Sequence, residues 1–144
     1  MDTEQISQAL SRLSHDYPLE ETQKEGKILF RIKGVEENFR AYINGGECVL
    51  STNTWHEHFA APEYIERFMR CLLTGEMEIV VTYCGETPVS HWIQTVKDGK
   101  LAVVSKTANL ILFPFWKKKT QKKMEYKFAN KGLERTVVPP AVQP

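Results

Sequence analysis

Lys27-Ile28-Leu29-Phe30-Arg31-Ile32-Lys33 places Ile28, Phe30 and Ile32 on one side of an extended chain and Lys27, Leu29, Arg31 and Lys33 on the other. A period of two is the mark of a strand with one buried face. The segment before it has a different period. Ile6, Ala9, Leu10 and Leu13 recur at helical spacing, and Asp2 with Gln5 has the form of a capping box. Tyr17-Pro18 ends that helix, because the residue before a proline is pushed out of the helical region. Glu20 to Gly26 reads as a polar connector. The switch from helical to strand period across this connector already requires a mixed fold.

Toward the C-terminus the strand pattern continues. A turn over Gly34–Asn38 leads into Phe39–Ile43. Asn44-Gly45-Gly46 is a hairpin signal, since glycine and asparagine tolerate positive φ. Glu47–Thr52 is then the third strand of a meander. A second helix follows: Pro62 suits a first helical position, and Ile65, Phe68, Met69, Leu72 and Leu73 trace one apolar stripe. Glu63–Arg67 and Glu66–Arg70 are i,i+4 pairs in the favoured orientation, and Gly75 supplies the stop.

Strands return over Met77–Cys84, Val89–Lys97 and Lys100–Ser105, joined by Gly85-Glu86-Thr87-Pro88 and by a two-residue Asp98-Gly99 turn. Leu110–Trp116 and Met124–Phe128 suggest a last hairpin around a lysine-rich turn. Two runs of strands split by one helix predict an α+β fold. We expect a single domain over residues 1–135, with an antiparallel, meander-type sheet of about 6–8 strands. An N-terminal helix and an amphipathic helix over about 62–74 would pack on it. Residues 136–144 carry no charge and three prolines, and read as an extended or disordered tail.

A chain of 144 residues that is 42% hydrophobic and 26% charged can bury a core without a metal or disulfide staple. It is too short for a (β/α)₈ barrel or a two-domain dehydrogenase. The start, Met1-Asp2-Thr3-Glu4-Gln5, is polar and unlike a secretory signal. The longest apolar run, Leu110–Trp116, is broken by Pro114 and falls far short of the ~20 residues of a membrane helix. Cys48, Cys71 and Cys84 form no C-x-x-C pair, and their odd number argues against a disulfide framework. The expectation is a cytoplasmic protein with no membrane partner.

Charge is uneven. The whole chain carries +1. Pro114–Arg135 holds seven lysines and one arginine against Glu125 and Glu134, a local sum of +6, so the rest sums to −5. Within this stretch Trp116, Lys117, Lys118, Lys119, Lys122, Lys123 and Tyr126 interleave rings with cations. Single-stranded nucleic acids use this pairing, with bases stacked on rings and lysines on phosphates. A solvated hairpin whose lysines keep a sheet edge soluble has the same composition, and an acidic protein partner would use the same patch.

The other unusual stretch is Trp55-His56-Glu57-His58-Phe59. If extended, it projects His56 and His58 to one side and Trp55, Glu57 and Phe59 to the other. Paired imidazoles can bind zinc or a related divalent ion. A catalytic zinc needs a third ligand, for which His91, Cys84 and Cys48 are the candidates. The spacing is not that of the helical H-E-x-x-H motif, and hydrogen-bonded or solvent-facing histidines explain the pair as well. Cys84 and His91 could face one another across a hairpin if the register allowed. Neither His91 nor His15 has an evident carboxylate or nucleophile partner.

No nucleophile elbow, phosphate-binding glycine loop or paired-carboxylate motif is present, and no catalytic or cofactor-binding residue is assigned. The reading favoured by the sequence is a non-enzymatic interaction module that binds a protein partner, with acidic chemistry matching the lysines. Nucleic-acid binding through residues 113–128 is the first alternative. A metal-dependent enzyme using His56 and His58 is the second.

Overall fold

The computed structural model describes residues 2–97, 100–108 and 119–124. Helix α1 (Thr3–Ser14) opens the chain, followed by strands β1 (Leu19–Lys24), β2 (Lys27–Ile32), β3 (Asn38–Asn44), β4 (Glu47–Ser51) and β5 (His56–Phe59). Helix α2 (Pro62–Thr74) comes next, and then β6 (Met77–Cys84), β7 (Thr87–Lys97), β8 (Lys100–Ala108) and β9 (Lys119–Met124). The fold is α+β and every strand pairing is antiparallel. The strands do not form one sheet, however. β1–β5 make a five-stranded meander in sequence order, and a second sheet has the order β8-β7-β6-β9. Helix α2 sits between the two runs, so the chain leaves one sheet before starting the other.

Local chemistry explains three of the element boundaries. Asp2 caps α1 by accepting from the Gln5 amide at 3.0 Å, while Gln5 Oε1 accepts from the Asp2 amide at 2.9 Å. Gly75 ends α2 in the left-handed region at φ 83°. Gly45 and Gly46, both with positive φ, join β3 to β4 with Asn44 opposite Glu47.

Three expectations change. Glu20–Gly26 is not a connector: Leu19–Lys24 is an exposed edge strand, turned into β2 at Glu25-Gly26. It shows no apolar alternation because an edge strand need not bury its side chains. The turn after β6 is shorter than expected, with Cys84 directly opposite Thr87 and Pro88 already inside β7. Finally, lysines 119, 122 and 123 belong to strand β9, paired along the edge of β6, rather than to a turn. The Asp98-Gly99 turn, the Leu110–Trp116 strand, all of Met124–Phe128 beyond Met124, and the 136–144 tail lie outside the described residues.

The core lies between the inner face of the five-stranded sheet and the two helices. Ile28, Phe30, Ile32, Phe39, Ala41, Cys48 and Leu50 supply the sheet side, and Ile6, Leu10, Leu13, Ile65, Phe68, Met69 and Leu72 the helix side. Helix α2 packs most extensively on α1, and more lightly on β4, β5 and β6. Arg70 fastens the two helices: it donates to Asp16 Oδ2 at 2.6 Å, to Glu66 Oε2 at 3.1 Å and to the Arg12 carbonyl at 3.2 Å. Burial works to lower the Arg70 pKa, but its hydrogen bonds and ion pairs with Asp16 and Glu66 outweigh it and hold the pKa raised. Among the described residues no helix is long and apolar enough to cross a membrane.

Candidate functional site

The meander has two unlike faces. Its register puts Ile28 beside Ala41, Ala41 beside Leu50 and Leu50 beside Glu57, so these residues look inward together. The outer face therefore carries Glu20, Thr22 and Lys24 of β1, Lys27, Leu29 and Arg31 of β2, and Arg40 and Tyr42 of β3. Glu47, Val49 and Ser51 of β4 and His56 and His58 of β5 also lie on it. Both helices lie on the inner face.

Two depressions cross this outer face. One, of about 420 Å³, is lined by residues of β1–β3 including Glu20, Leu29 and Arg31. The other, of about 500 Å³, is lined by Arg40, Tyr42, Ser51, the 52–55 loop, His56 and His58, with Pro88 from the second sheet. Arg40 and Asn53 line both, so the depressions adjoin.

Arg40 sits in the middle, half-buried between Leu29 and Ser51 on the neighbouring strands. Its Nη2 donates to the Thr52 carbonyl at 3.1 Å. That residue organises the loop ahead of β5: the Thr52 amide donates to the Trp55 carbonyl at 2.8 Å, and Thr52 Oγ1 accepts from the amides of Thr54 at 3.2 Å and Trp55 at 3.3 Å. The loop turns Trp55 into the core, where its ring meets Phe39 and Phe68 edge-on at 6.4 and 6.0 Å. His56 consequently emerges on the outer face. Nearby, Lys27 Nζ lies 5.0 Å from the centre of the Tyr42 ring.

His56 and His58 project to the same side of an extended strand, with ring centres 5.4 Å apart. His58 Nδ1 lies 3.5 Å from Glu47 Oε1. Burial, with the neighbouring His58 and His91, lowers the His56 pKa against the opposing pull of Glu57. The third-ligand candidates stand apart. Cys48 is buried on the inner face, and Cys84 is buried at the β6–β7 turn. The His91 ring is 6.3 Å from that of His56 but is engaged elsewhere. Among the described residues no group of three or more His, Cys, Asp or Glu side chains is arranged to hold a metal ion.

His91 has the carboxylate partner that the sequence did not identify. Its Nε2 and Glu57 Oε1 are 3.0 Å apart, with the histidine side chain 3% and the glutamate 14% exposed. This bond joins β5 of one sheet to β7 of the other. Cys84 is not the partner, since His91 stands opposite Val81 and Cys84 opposite Thr87.

The lysine-rich segment is placed in part. Trp116, Lys117, Lys118 and Tyr126 lie outside the described residues, and Lys119 begins β9. Lys122 and Lys123, being consecutive in a strand, project to opposite faces. Lys123 Nζ lies 2.8 Å from Glu78 Oε2. Gln94 Nε2 donates to the other Glu78 oxygen at 3.1 Å, and Trp92 Nε1 donates to Gln94 Oε1 at 2.8 Å. These contacts run across β9, β6 and β7.

Sequence reasoning passed over Arg40 and Tyr42, although both alternate with the buried Phe39 and Ala41. That alternation, set beside Lys27 and Arg31 one strand away, is the signal that could have exposed the outer face. Compared with known proteins, the chain matches no protein-family model, no curated protein and no solved structure.

Proposed function

We propose that this protein is a non-enzymatic interaction module that docks an acidic segment of a protein partner on the outer face of its five-stranded sheet. The observation that carries the reading is the charge of that face. Lys24, Lys27, Arg31 and Arg40 stand against Glu20 and Glu47, on a surface grooved by two adjoining depressions. A positive, concave surface favours encounter with a negative chain and sets its orientation. Among the described residues β1 is an edge strand with side chains almost all exposed, and it offers backbone groups for strand addition beside the same face. Cys48, Cys71 and Cys84 are buried thiols, which fits a reducing compartment, and we place the protein in the cytoplasm.

Nucleic acid is the competing polyanion. Among the described residues, Tyr42 is the outer-face ring besides the two histidines, and Lys27 already sits against it. Of the three lysines in β9, Lys123 is paired with Glu78. Base stacking thus has less support here than carboxylate pairing.

The test is a ¹⁵N NMR titration with poly-L-glutamate and, separately, with a single-stranded oligonucleotide. We expect glutamate-induced shifts at Lys27, Arg31, Arg40 and Tyr42 that fade with added salt, and their loss in the Lys27→Glu/Arg31→Glu double variant. Shifts confined to residues 119–124 and produced by the oligonucleotide would replace this reading with the nucleic-acid one.

A further inference from the structure

Among the described residues, Arg40 differs from the other sheltered arginine, Arg70. The Arg70 guanidinium, 12% exposed, meets Asp16 at 2.6 Å and Glu66 at 3.1 Å. Arg40 is also partly withdrawn from solvent, yet among the described residues its one recorded hydrogen bond goes to the Thr52 carbonyl and no carboxylate pairs with it. A guanidinium carries five N–H donors in a planar fork suited to a carboxylate. A partly desolvated cation normally has its charge met. Here the charge opens into the 500 Å³ depression, beside Ser51, Thr54 and His56.

Among the described residues the carboxylates of the surrounding strands do not pair with Arg40, although Glu20 lines the adjoining depression with it. Glu57 is on the inner side of β5 and bonded to His91. Glu47 is beside His58 at 3.5 Å. Glu20 lies across the sheet, opposite Arg31 on the neighbouring strand. The bond to Thr52 pins one edge of the Arg40 fork, which reduces the rotamer freedom lost when a ligand binds.

We propose that Arg40 is the anchor of a carboxylate-binding subsite between β3, β4 and β5, with the Ser51 and Thr54 hydroxyls and the His56 ring as neighbouring polar groups. The occupant is a glutamate or aspartate side chain of the docked partner. A free organic acid fits less well, because small ligands bury most of their surface in enclosed pockets and this depression is open along the sheet. The inference refines the docking reading to one contact and rests on it for the source of the carboxylate.

Isothermal titration calorimetry with an end-capped hexaglutamate peptide, its hexaglutamine counterpart and succinate tests the proposal. We expect the glutamate peptide to bind, the glutamine peptide and succinate to bind at least tenfold more weakly, and Arg40→Gln to weaken the glutamate peptide by about tenfold to a hundredfold. Arg40→Lys should restore only part of that loss, because an ammonium lacks the fork. Arg31→Gln, which leaves the subsite intact, should cost less than Arg40→Gln.

Unchanged peptide affinity in Arg40→Gln, with loss in Lys27→Glu/Arg31→Glu, would overturn the subsite and leave the docking face standing. No peptide binding to the unaltered protein would overturn both. Arg40-dependent succinate binding as tight as the peptide's would overturn the polypeptide source. Should Arg40→Gln fail to fold, the unaltered protein decides: peptide-induced ¹⁵N shifts centred on residues 51–56 support the subsite, and shifts that bypass them refute it.

Discussion

The inner and outer faces of the meander are built from alternate residues of the same five strands, and they obey different rules. Inside, Phe30 stacks on Phe39 at 5.0 Å, and Phe39 leads through Trp55 to Phe68 on α2. Those contacts are selected by volume and shape. Outside, the same strands carry Lys27, Arg31, Arg40 and Tyr42, whose contacts with the rest of the fold are few. The contrast separates what holds the protein together from what it has available for a partner. The inward side is not wholly apolar at its ends, for it includes Glu21 on β1 and Glu57 on β5.

The largest effect should come from the inner face. Phe68→Ala or Leu72→Ala should lower unfolding free energy by about 2–5 kcal/mol in urea denaturation, since each leaves a cavity that the packed helices cannot close. A melting curve unmoved by either would break the distinction between the faces at once. Next comes the seam. Glu57→Ala leaves a buried imidazole without this acceptor and should cost about 1–3 kcal/mol. Repeating that change in a His91→Ala background should give a smaller increment, and a double-mutant cycle showing simple additivity would mean the bond does not join the sheets.

Outer-face changes should register mainly in binding. Lys27→Glu/Arg31→Glu should shift stability by no more than about 0.5 kcal/mol, as surface substitutions do, while removing poly-glutamate binding. A large stability loss would show the outer face to be structural.

The smallest effect sharpens the comparison with the second sheet. Burial works to raise the Glu78 pKa, but hydrogen bonds from Lys123 and Gln94 and the Lys123 charge outweigh it, leaving it below the ordinary 4.5. A depressed carboxylate stabilises the fold above its unfolded pKa, and the contribution disappears as pH falls through the folded value. Glu78→Gln should therefore be less stable than the unaltered protein near pH 7, and the gap should close in acid. A gap that widened toward acid would mean Lys123 does not hold the edge strand through this carboxylate.

Elements that declare themselves in the sequence are those whose cause is local. The Asp2–Gln5 capping box, the Pro62–Gly75 helix and the Gly45-Gly46 turn are each specified by residues within a few positions of one another. The extended Trp55–Phe59 segment was legible for the same reason, since alternation alone separates His56 and His58 from Glu57. Edge strands were not. The Leu19–Lys24 segment looks like a connector and residues 119–123 like a turn, because an edge strand is held by a neighbour's backbone and leaves no apolar signature of its own. Of the candidate site, the histidine pair could be read in advance, whereas Arg40 is one alternating polar residue among many until its neighbours are known.

Sequence alone determined the α+β class, the two helices and their buried stripes, and the sidedness of each alternating strand, because periodicity and capping act over a few residues. Tertiary structure decided that the strands form two sheets, that Glu57 meets His91 across 34 positions of chain, and that Arg40 opens into a groove. Pairing between distant strands depends on register and on which edges remain open, and neither is encoded at any single place along the chain.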